Sequence, residues 1–140
     1  MPRSYEVDII YSMHCFTRVR RDGDANLLYS DRRETRVFDF RRYQLSLQLP
    51  QIVENLMGRR CYHAGRQNFF TVEMLDDELK RIEYEIYFTA SRASSGRLKL
   101  FVQSAYVRDK AHANKPQRKP IGFHVILFNT QNNKSIVVPQ

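Results

Sequence analysis

The sequence contains little cysteine, little glycine and no long apolar segment, and each shortage argues against a class of protein. Two cysteines, Cys15 and Cys61, are too few for a disulfide framework, so we expect reduced thiols in a cytoplasmic protein. No apolar run approaches the roughly 20 residues that a membrane-spanning helix needs, and no signal-like apolar segment follows the N-terminus. Five glycines, with no phosphate-cradling loop among them, argue against a nucleotide-cofactor site. We therefore predict no cofactor and no membrane partner.

Basic and aromatic residues are what the sequence has in abundance. Its formal net charge is +8, and 17 of its 23 basic residues are arginine. Eight tyrosines and nine phenylalanines accompany them. A guanidinium holds a phosphate with two parallel hydrogen bonds, and unstacked bases lie against aromatic and arginine planes. The composition therefore favours an anionic partner, and we predict RNA or single-stranded DNA.

The apolar content of 42% and the length of 140 residues suit a single globular domain that spans residues 1–140. Most of the chain alternates between apolar and polar residues, which is typical of half-buried strands. The longest alternating stretch carries Tyr5, Val7 and Ile9 on one face. The predicted strands are residues 5–16, 27–29, 35–40, 69–75, 81–89, 98–107, 121–129 and a short edge strand at 135–138.

One segment has the spacing of a helix instead. Pro50 suits the first position of a helix, and Ile52, Val53 and Leu56 follow at helical spacing before Gly58. We therefore predict an α+β fold, with a single curved or partly closed antiparallel sheet of about six to eight strands and one helix packed on a face. A free edge strand at either end leaves a homodimer open.

Basic segments lie between the predicted strands. Residues 108–120 hold five basic residues against one acid, and a loop of this kind can follow a phosphate backbone. The segment after the predicted helix is also basic and has little acid nearby. Residues 18–42 are basic too but contain five acids, so we expect much of that region to form surface ion pairs. The predicted nucleic-acid contacts are Arg59, Arg60, Arg66, Arg108, Lys110, His112, Lys115, Arg118 and Lys119.

Histidine decides whether the protein could also cut its ligand. Cleavage of RNA without a metal needs a base, an acid and cations for the charge that develops. Histidine suits the first two tasks because its ordinary pKa lies near neutrality. His14 and His63 are the candidates for base and acid, with Arg18, Arg66 or Arg92 as the cation.

A zinc site is the other use that these histidines could have. His14-Cys15 and Cys61-x-His63 supply four potential ligands. However, neighbouring residues on a strand point to opposite faces, and the spacing matches none of the usual two-cysteine motifs. We therefore predict no metal site.

Residues 84–92, with the sequence Tyr-Glu-Ile-Tyr-Phe-Thr-Ala-Ser-Arg, and the run from 98 to 108 resemble the small RNase toxins of the barnase, EndoU, colicin and RelE type. The resemblance covers roughly the C-terminal half of the chain. It extends to the order of the elements, an early strand and a compact helix before a basic antiparallel sheet. It implies ribonuclease activity carried by scattered polar residues, and on this basis the candidates are His63, Arg92 and Tyr106.

Three functions are therefore open. The first, which we predict, is a nucleic-acid-binding protein that contacts phosphates through loops rich in Arg and Lys. The second is a metal-independent, toxin-like ribonuclease that uses His14, His63, Arg92 and Tyr106. The third is an interaction or inhibitor protein whose basic face docks an acidic partner. A pocket shared by His14, His63 and Arg92 would favour the enzyme, whereas their dispersal would favour a binding protein.

Overall fold

The computed structural model describes residues 4–24, 27–58, 60–64, 67–75, 78–108 and 119–133. Within these residues the chain forms nine strands and three α-helices, which confirms the predicted α+β class. Short 3₁₀ turns lie at Met13–Cys15, Leu56–Gly58 and Ser94–Gly96. In chain order the elements are β1 (Val7–Tyr11), β2 (Thr17–Arg18), β3 (Leu28–Ser30), β4 (Thr35–Phe38), α1 (Phe40–Ser46), α2 (Leu49–Glu54), β5 (Arg60–Ala64), β6 (Gln67–Leu75), β7 (Arg81–Arg92), β8 (Leu98–Val107), β9 (Lys119–Gly122) and α3 (Phe123–Gln131).

Six of these strands form the main sheet, in the order β1-β8-β7-β6-β5-β9. Neighbouring strands are antiparallel except β1 and β8, which run parallel with Val7 opposite Leu98. The register of β7 on β8 shifts between Tyr87 and Phe88, which marks a β-bulge. A parallel pair requires a long connection, and here everything from β2 to β7 lies between the two partners.

Helices α2 and α3 pack against one face of the main sheet, and the core lies between the sheet and these helices. The strands contribute every second residue, as half-buried strands do. The core side chains of β7 and β8 include Tyr84, Ile86, Phe88, Leu98, Leu100 and Val102, and the helices add Leu49, Ile52, Val53, Phe123, Ile126 and Leu127. This burial is the main source of stability, because each large apolar side chain removed from water contributes about 1.5–3 kcal/mol.

The other three strands form a small sheet with β4 in its centre, between β2 and β3. The chain turns between β2 and β3 at Gly23, whose φ of +90° is readily adopted only by glycine. α1 begins directly after β4, where the carboxylate of Asp39 accepts a hydrogen bond of 2.9 Å from the backbone of Arg42. The small sheet therefore leads without a linker into the first helix.

The strand predicted at residues 121–129 is wrong. β9 ends at Gly122, and the residues that follow form α3. This stretch is apolar at almost every position, so its period cannot be read from the sequence alone. The structure buries Phe123, Ile126 and Leu127, which stand at the i, i+3 and i+4 positions of a helix face.

The first predicted strand, residues 5–16, is too long, because β1 ends at Tyr11. A 3₁₀ turn follows, in which the hydroxyl of Ser12 accepts a hydrogen bond of 3.1 Å from the backbone N–H of His14. Cys15 enters the core from this turn, while His14 stays partly exposed. The polar cap at Ser12 thus ends the alternation and directs His14 away from the core.

The prediction of one antiparallel sheet with one helix is refined in three respects. β1 is parallel to β8, the small sheet is separate, and α1 and α3 join the predicted helix, which ends earlier, at Glu54. The strands predicted at 69–75, 81–89 and 98–107 are confirmed as β6, β7 and β8. The edge strand predicted at 135–138 lies outside the described residues. Of the helices that the structure describes, none is long and apolar enough to cross a membrane.

Candidate functional site

The structure separates the four residues that were predicted for catalysis. Arg92 ends β7 opposite Leu98, the first residue of β8, whereas Tyr106 lies near the other end of β8 opposite Glu85. At about 3.3 Å per residue, these two positions are roughly 26 Å apart along the strand. Arg92 and Tyr106 therefore cannot act on the same bond.

The two histidines are separated as well. His63 lies in β5 on the same strand face as the buried Cys61, and its Nδ1 is 2.8 Å from the Oδ1 of the buried Asn68. His14 lies beyond the end of β1 and lines a cavity with Phe101 of β8. Since β6 and β7 stand between β5 and β8, these two strands are about 14 Å apart across the sheet. His63 thus has a structural partner and does not share a pocket with His14.

Most of the residues predicted to contact nucleic acid lie outside the described residues: Arg59, Arg66, Lys110, His112, Lys115 and Arg118. Arg60 is exposed at the start of β5, and Lys119 is half-buried at the start of β9. These two strands pair antiparallel, with Lys119 opposite His63 and Arg60 opposite Gly122. The two basic residues therefore lie at opposite ends of the same strand pair.

The predicted nucleic-acid contact of Arg108 is corrected by the structure, because Arg108 is bound to Glu85 inside the protein. Its Nε lies 2.5 Å from one carboxylate oxygen of Glu85, and its Nη2 lies 3.0 Å from the other. The two side chains are 7% and 0% exposed, so both charges are withdrawn from water. The hydroxyl of Tyr87 donates to the same carboxylate at 2.8 Å. Arg108 therefore serves stability and is not presented to phosphates.

The rings on this face of the main sheet form a row across four strands. The centroids of Tyr62, Phe69, Tyr87 and Tyr106 are 5.3, 5.3 and 5.6 Å apart in that order. We call this set the aromatic row. Phe69 and Tyr87 are buried, and burial together with hydrogen bonds to Tyr106 and Glu85 raises the pKa of the Tyr87 hydroxyl. The centre of the row is therefore closed to a stacking ligand.

Several exposed rings lie on the small sheet and on α1, which follows it. Phe16, Tyr29, Phe38, Phe40 and Tyr43 form a continuous set in which neighbouring centroids are 5.0–6.2 Å apart. We call this set the aromatic cluster. Phe40 is 67% exposed, Tyr29 48% and Tyr43 43%. Contiguous apolar surface of this kind on a folded protein commonly marks a place where something binds.

Three arginines near the aromatic cluster hold the small sheet together. Arg36 is buried and its Nε donates to the hydroxyl of Thr17 at 2.8 Å, while Arg42 donates to the carbonyl of Thr17 at 2.6 Å. Arg18 forms two hydrogen bonds of 3.0 Å with the carboxylate of Asp24. These bonds, with one from the backbone of Arg21, lower the pKa of Asp24 to about 2. The expected ion pairing within residues 18–42 is confirmed for Arg18.

Two further arginines of the region flank the aromatic cluster. Arg41 lines a cavity of about 480 Å³ together with Phe38 and Phe40. Arg33 lines a second cavity, of about 500 Å³, together with Tyr29. Within the described part of the chain, neither guanidinium forms a hydrogen bond or an ion pair. Arg33 does lie near the carboxylate of Asp31, because its charge helps to lower the pKa of that group. The aromatic cluster therefore has on each side an arginine that makes no hydrogen bond to a described residue.

The second cavity also contains a pair formed by a histidine and a carboxylate. Nε2 of His14 contacts Oε1 of Glu34. Glu34 is held in place by Asp31, whose carboxylate accepts hydrogen bonds of 2.8 and 2.9 Å from the backbones of Arg33 and Glu34. These bonds lower the pKa of Asp31. Since Ser12 fixes the backbone of His14 in the same way, both members of the pair sit on turns capped by side chains.

His14 was predicted as a functional residue from the sequence, whereas its partner Glu34 was not. The acids of residues 18–42 were expected to pair with the arginines there, but Asp31 and Asp39 bind backbone N–H groups. A signal was present in the spacing of Asp31 and Glu34, since aspartate at such a position commonly caps a turn. What the sequence could not supply is the contact between two turns that are far apart in the chain.

The described residues contain no group of three or more His, Cys, Asp or Glu side chains that could hold a metal ion. Cys15 and Cys61 are buried, free thiols. Burial raises the pKa of Cys15 to about 11 and the pKa of Cys61 to about 12. Both thiols are therefore protonated at neutral pH and are poor nucleophiles and poor metal ligands.

Fold and surface together define an α+β protein with a mixed, helix-covered sheet and a small second sheet that exposes aromatic rings. The chain belongs to the YjaZ family, whose family model matches residues 1–131. It is 29% identical over 143 residues to Protein YjaZ of Escherichia coli (strain K12), an alignment that covers 99% of this chain and 77% of that protein. No solved structure is a significant match. The resemblance to RNase toxins stays a prediction.

Proposed function

We propose that the protein binds single-stranded nucleic acid, RNA or DNA, on the aromatic cluster. The observation that carries this proposal is the exposure of Phe40, Tyr29 and Tyr43 between Arg41 and Arg33, whose guanidinium groups make no hydrogen bond to a described residue. Bases can stack on exposed rings whatever the nucleotide sequence, and guanidinium groups at the ends of a stack can hold the phosphates. The small sheet thus offers both kinds of contact that a single strand requires.

The charge at this surface favours a polyanion. Asp24 and Asp39 line the cavity beside Phe40, but Asp24 is bound to Arg18 and Asp39 caps α1. A phosphate that enters this cavity therefore meets Arg41, with Asp24 already matched by Arg18 and Asp39 partly engaged by the backbone of Arg42. The net charge of +8 adds long-range attraction for any anionic ligand.

The rings distinguish a nucleic acid from an acidic protein as the partner. A phenyl ring has no hydrogen-bonding group, so the exposure of Phe40 is of no use to a partner that brings only carboxylates. Unstacked bases cover such rings and bring phosphates at the same time. A duplex does not, because its base faces are already stacked. The predicted contacts Arg60 and Lys119 lie on the main sheet and remain secondary in this proposal.

The test is a titration of fluorescently labelled oligonucleotides followed by anisotropy. We expect a short single strand to bind at low salt, more tightly than a duplex of the same sequence, and to weaken steeply as salt rises because bound phosphates release counterions. No association at low ionic strength would refute the proposal. Competition by polyglutamate as strong as that by the unlabelled strand would identify the surface as one for acidic proteins.

Two substitutions locate the surface. Phe40→Ala should weaken binding by roughly 5- to 150-fold, the loss of the about 1–3 kcal/mol that one stacked base contributes. Arg41→Ala should weaken binding to all sequences and reduce the salt dependence by about one phosphate contact. Arg81→Ala is the matched control, because it removes the same charge from the main sheet, where Arg81 forms a long ion pair of 3.7 Å with Glu73. Equal losses in Arg41→Ala and Arg81→Ala would show that net charge alone drives binding.

A further inference from the structure

The cavity beside the aromatic cluster holds a histidine that is oriented by a carboxylate. Glu34 contacts Nε2 of His14, and the other ring nitrogen, Nδ1, makes no hydrogen bond within the part of the chain that the structure describes. A carboxylate on one ring nitrogen fixes the tautomer, so that the opposite nitrogen presents its lone pair. His14 and Glu34 therefore have the arrangement of a general base and the group that positions it.

The surroundings of this pair suit a ligand with a phosphate and a base. The cavity of about 500 Å³ lies within the usual size range of ligand sites, and besides His14 and Glu34 its wall includes Arg33, Asp31, Tyr29, Phe101 and Gln103. Arg33 supplies a guanidinium that makes no hydrogen bond within the described residues, although its charge acts on the neighbouring carboxylate of Asp31. Tyr29 belongs to both the cavity and the aromatic cluster. A strand stacked on the aromatic cluster would therefore run directly into the cavity.

The contact between His14 and Glu34 is more than the two turns need to hold their shape. The turn at residues 31–34 is already closed by the bonds from the Arg33 and Glu34 backbones to Asp31, and the turn at His14 is already capped by Ser12. The contact between His14 and Glu34 is needed for neither turn. Both side chains are also about one third exposed, at 35% and 39%, so the imidazole is within reach of a ligand.

We propose that His14 is the general base of a site that cleaves single-stranded RNA, with Glu34 as its positioning residue and Arg33 as the phosphate ligand. This inference rests on the proposed binding function. His14 Nδ1 takes the proton of a ribose 2′-hydroxyl, the 2′-oxygen attacks the adjacent phosphorus, and the bond from phosphorus to O5′ breaks. O5′ takes a proton from water, and His14 returns its own proton to the hydroxide that is left. The products are a 2′,3′-cyclic phosphate end and a 5′-hydroxyl end, and nothing is oxidised or reduced.

The experiment uses a labelled single-stranded RNA and an all-DNA strand of the same sequence, both in EDTA. We expect both to bind, the RNA alone to be cut, and mass spectrometry to find 2′,3′-cyclic phosphate ends. His14→Ala should slow cleavage by about 10²- to 10⁴-fold, the usual contribution of a general base. His124→Ala is the matched control, since this exposed histidine lies in α3 outside the cavity and should leave the rate unchanged.

Glu34 requires a readout that a structural role would not change. Glu34→Gln should lower kcat while KM stays the same, and Glu34→Asp should recover part of the rate by restoring the carboxylate. Circular dichroism checks that each variant is folded, and His14→Gln replaces His14→Ala if the alanine variant fails to fold. A loss in Glu34→Gln that appears in KM alone would overturn the role of Glu34.

The two proposals fail in different ways. RNA that is bound by the wild-type protein but stays intact after prolonged incubation would overturn the cleavage and leave the binding proposal standing. An absence of binding to either strand would overturn both. Cleavage by a folded His14→Ala variant at the wild-type rate would also overturn this inference, because the activity would then come from elsewhere.

Discussion

On the main sheet, the aromatic row lies beside an arginine whose charge is matched: Arg108 holds the carboxylate of Glu85, and Phe69 and Tyr87 are buried. The aromatic cluster, on the small sheet and α1, lies beside Arg41, which is unpaired within the described part of the chain, and its most exposed ring, Phe40, is two-thirds exposed. Both regions consist of rings in contact with one another and of arginine nearby. They differ in burial and in whether the guanidinium has a carboxylate partner.

This difference shows why composition alone cannot locate a binding surface. A buried arginine without a partner would carry a large desolvation cost, so Arg108 requires Glu85. An exposed arginine has no such requirement and is available to an anionic ligand. The state of each guanidinium therefore separates the residues that stabilise the fold from those that can contact a partner.

Replacing one ring of each region by alanine should give the largest difference in the free energy of unfolding. Phe69→Ala removes a fully buried ring and should lower the free energy of unfolding by about 3–5 kcal/mol. Phe40→Ala removes an exposed ring and should change this free energy by less than about 0.5 kcal/mol. Urea denaturation followed by circular dichroism measures both. A large loss of stability in Phe40→Ala would place the aromatic cluster in the core and end the comparison.

Removing the charge of Glu85 tests the matched pair. Glu85→Gln should lower the free energy of unfolding by about 3 kcal/mol, because it leaves the Arg108 charge buried without a counter-charge. Nucleic-acid affinity, measured where the variant is folded, should stay at the wild-type value. Asp8→Asn is the control, since it breaks a bidentate contact of Asp8 with Arg97 that is exposed to solvent. Asp8→Asn should lower the free energy of unfolding much less than Glu85→Gln. An equal loss in the two variants would show that burial of the Glu85 pair is unimportant.

Alkaline pH should weaken the main sheet by a smaller amount. The pKa of Cys61 is raised from 9.0 to about 12 by burial, so the folded protein keeps the thiol protonated while the unfolded chain loses the proton. The contribution of Cys61 to stability is complete below pH 9 and is lost between about pH 9 and 12. The loss amounts to about 1.4 kcal/mol at pH 10. Denaturation curves for Cys61→Ala should depend less steeply on pH in this range than those of the wild type. Identical slopes would contradict the assigned burial of this thiol.

The regular parts of the fold could be predicted from the sequence because local alternation determines them. β8 has the predicted bounds of residues 98–107, since Leu98, Leu100 and Val102 recur at every second position before the bulge shifts the alternation to Ala105 and Val107. The prediction for the α3 segment was wrong for the opposite reason, because an apolar stretch without a clear period fits a strand and a helix equally well. The parallel pairing of β1 with β8 has no local signature at all.

The candidate site was predictable only in its residue types. His14 stood out as a histidine on the polar face of the first predicted strand, but its partner Glu34 lies 20 residues away and is brought close by the pairing of the small sheet. Arg108 stood out as a basic residue at the start of a basic loop, and its engagement by Glu85 depends on a strand pairing that the sequence does not specify. Exposure, which separates the aromatic cluster from the aromatic row, is a property of the assembled fold.

The parallel pairing of β1 with β8 also has a consequence for how the chain folds as it is made. β1 is held by residues near the far end of the sequence, as shown by Arg97, which donates to Asp8 across 89 residues. The ribosome releases β1 first and β8 late, so the first strand has no partner while most of the chain is synthesised. Contacts of this separation also form slowly, because the entropy of closing a long loop opposes them. β1 therefore completes the sheet and cannot nucleate it, and until β8 emerges its apolar residues Val7 and Ile9 are open to chaperones and to other nascent chains.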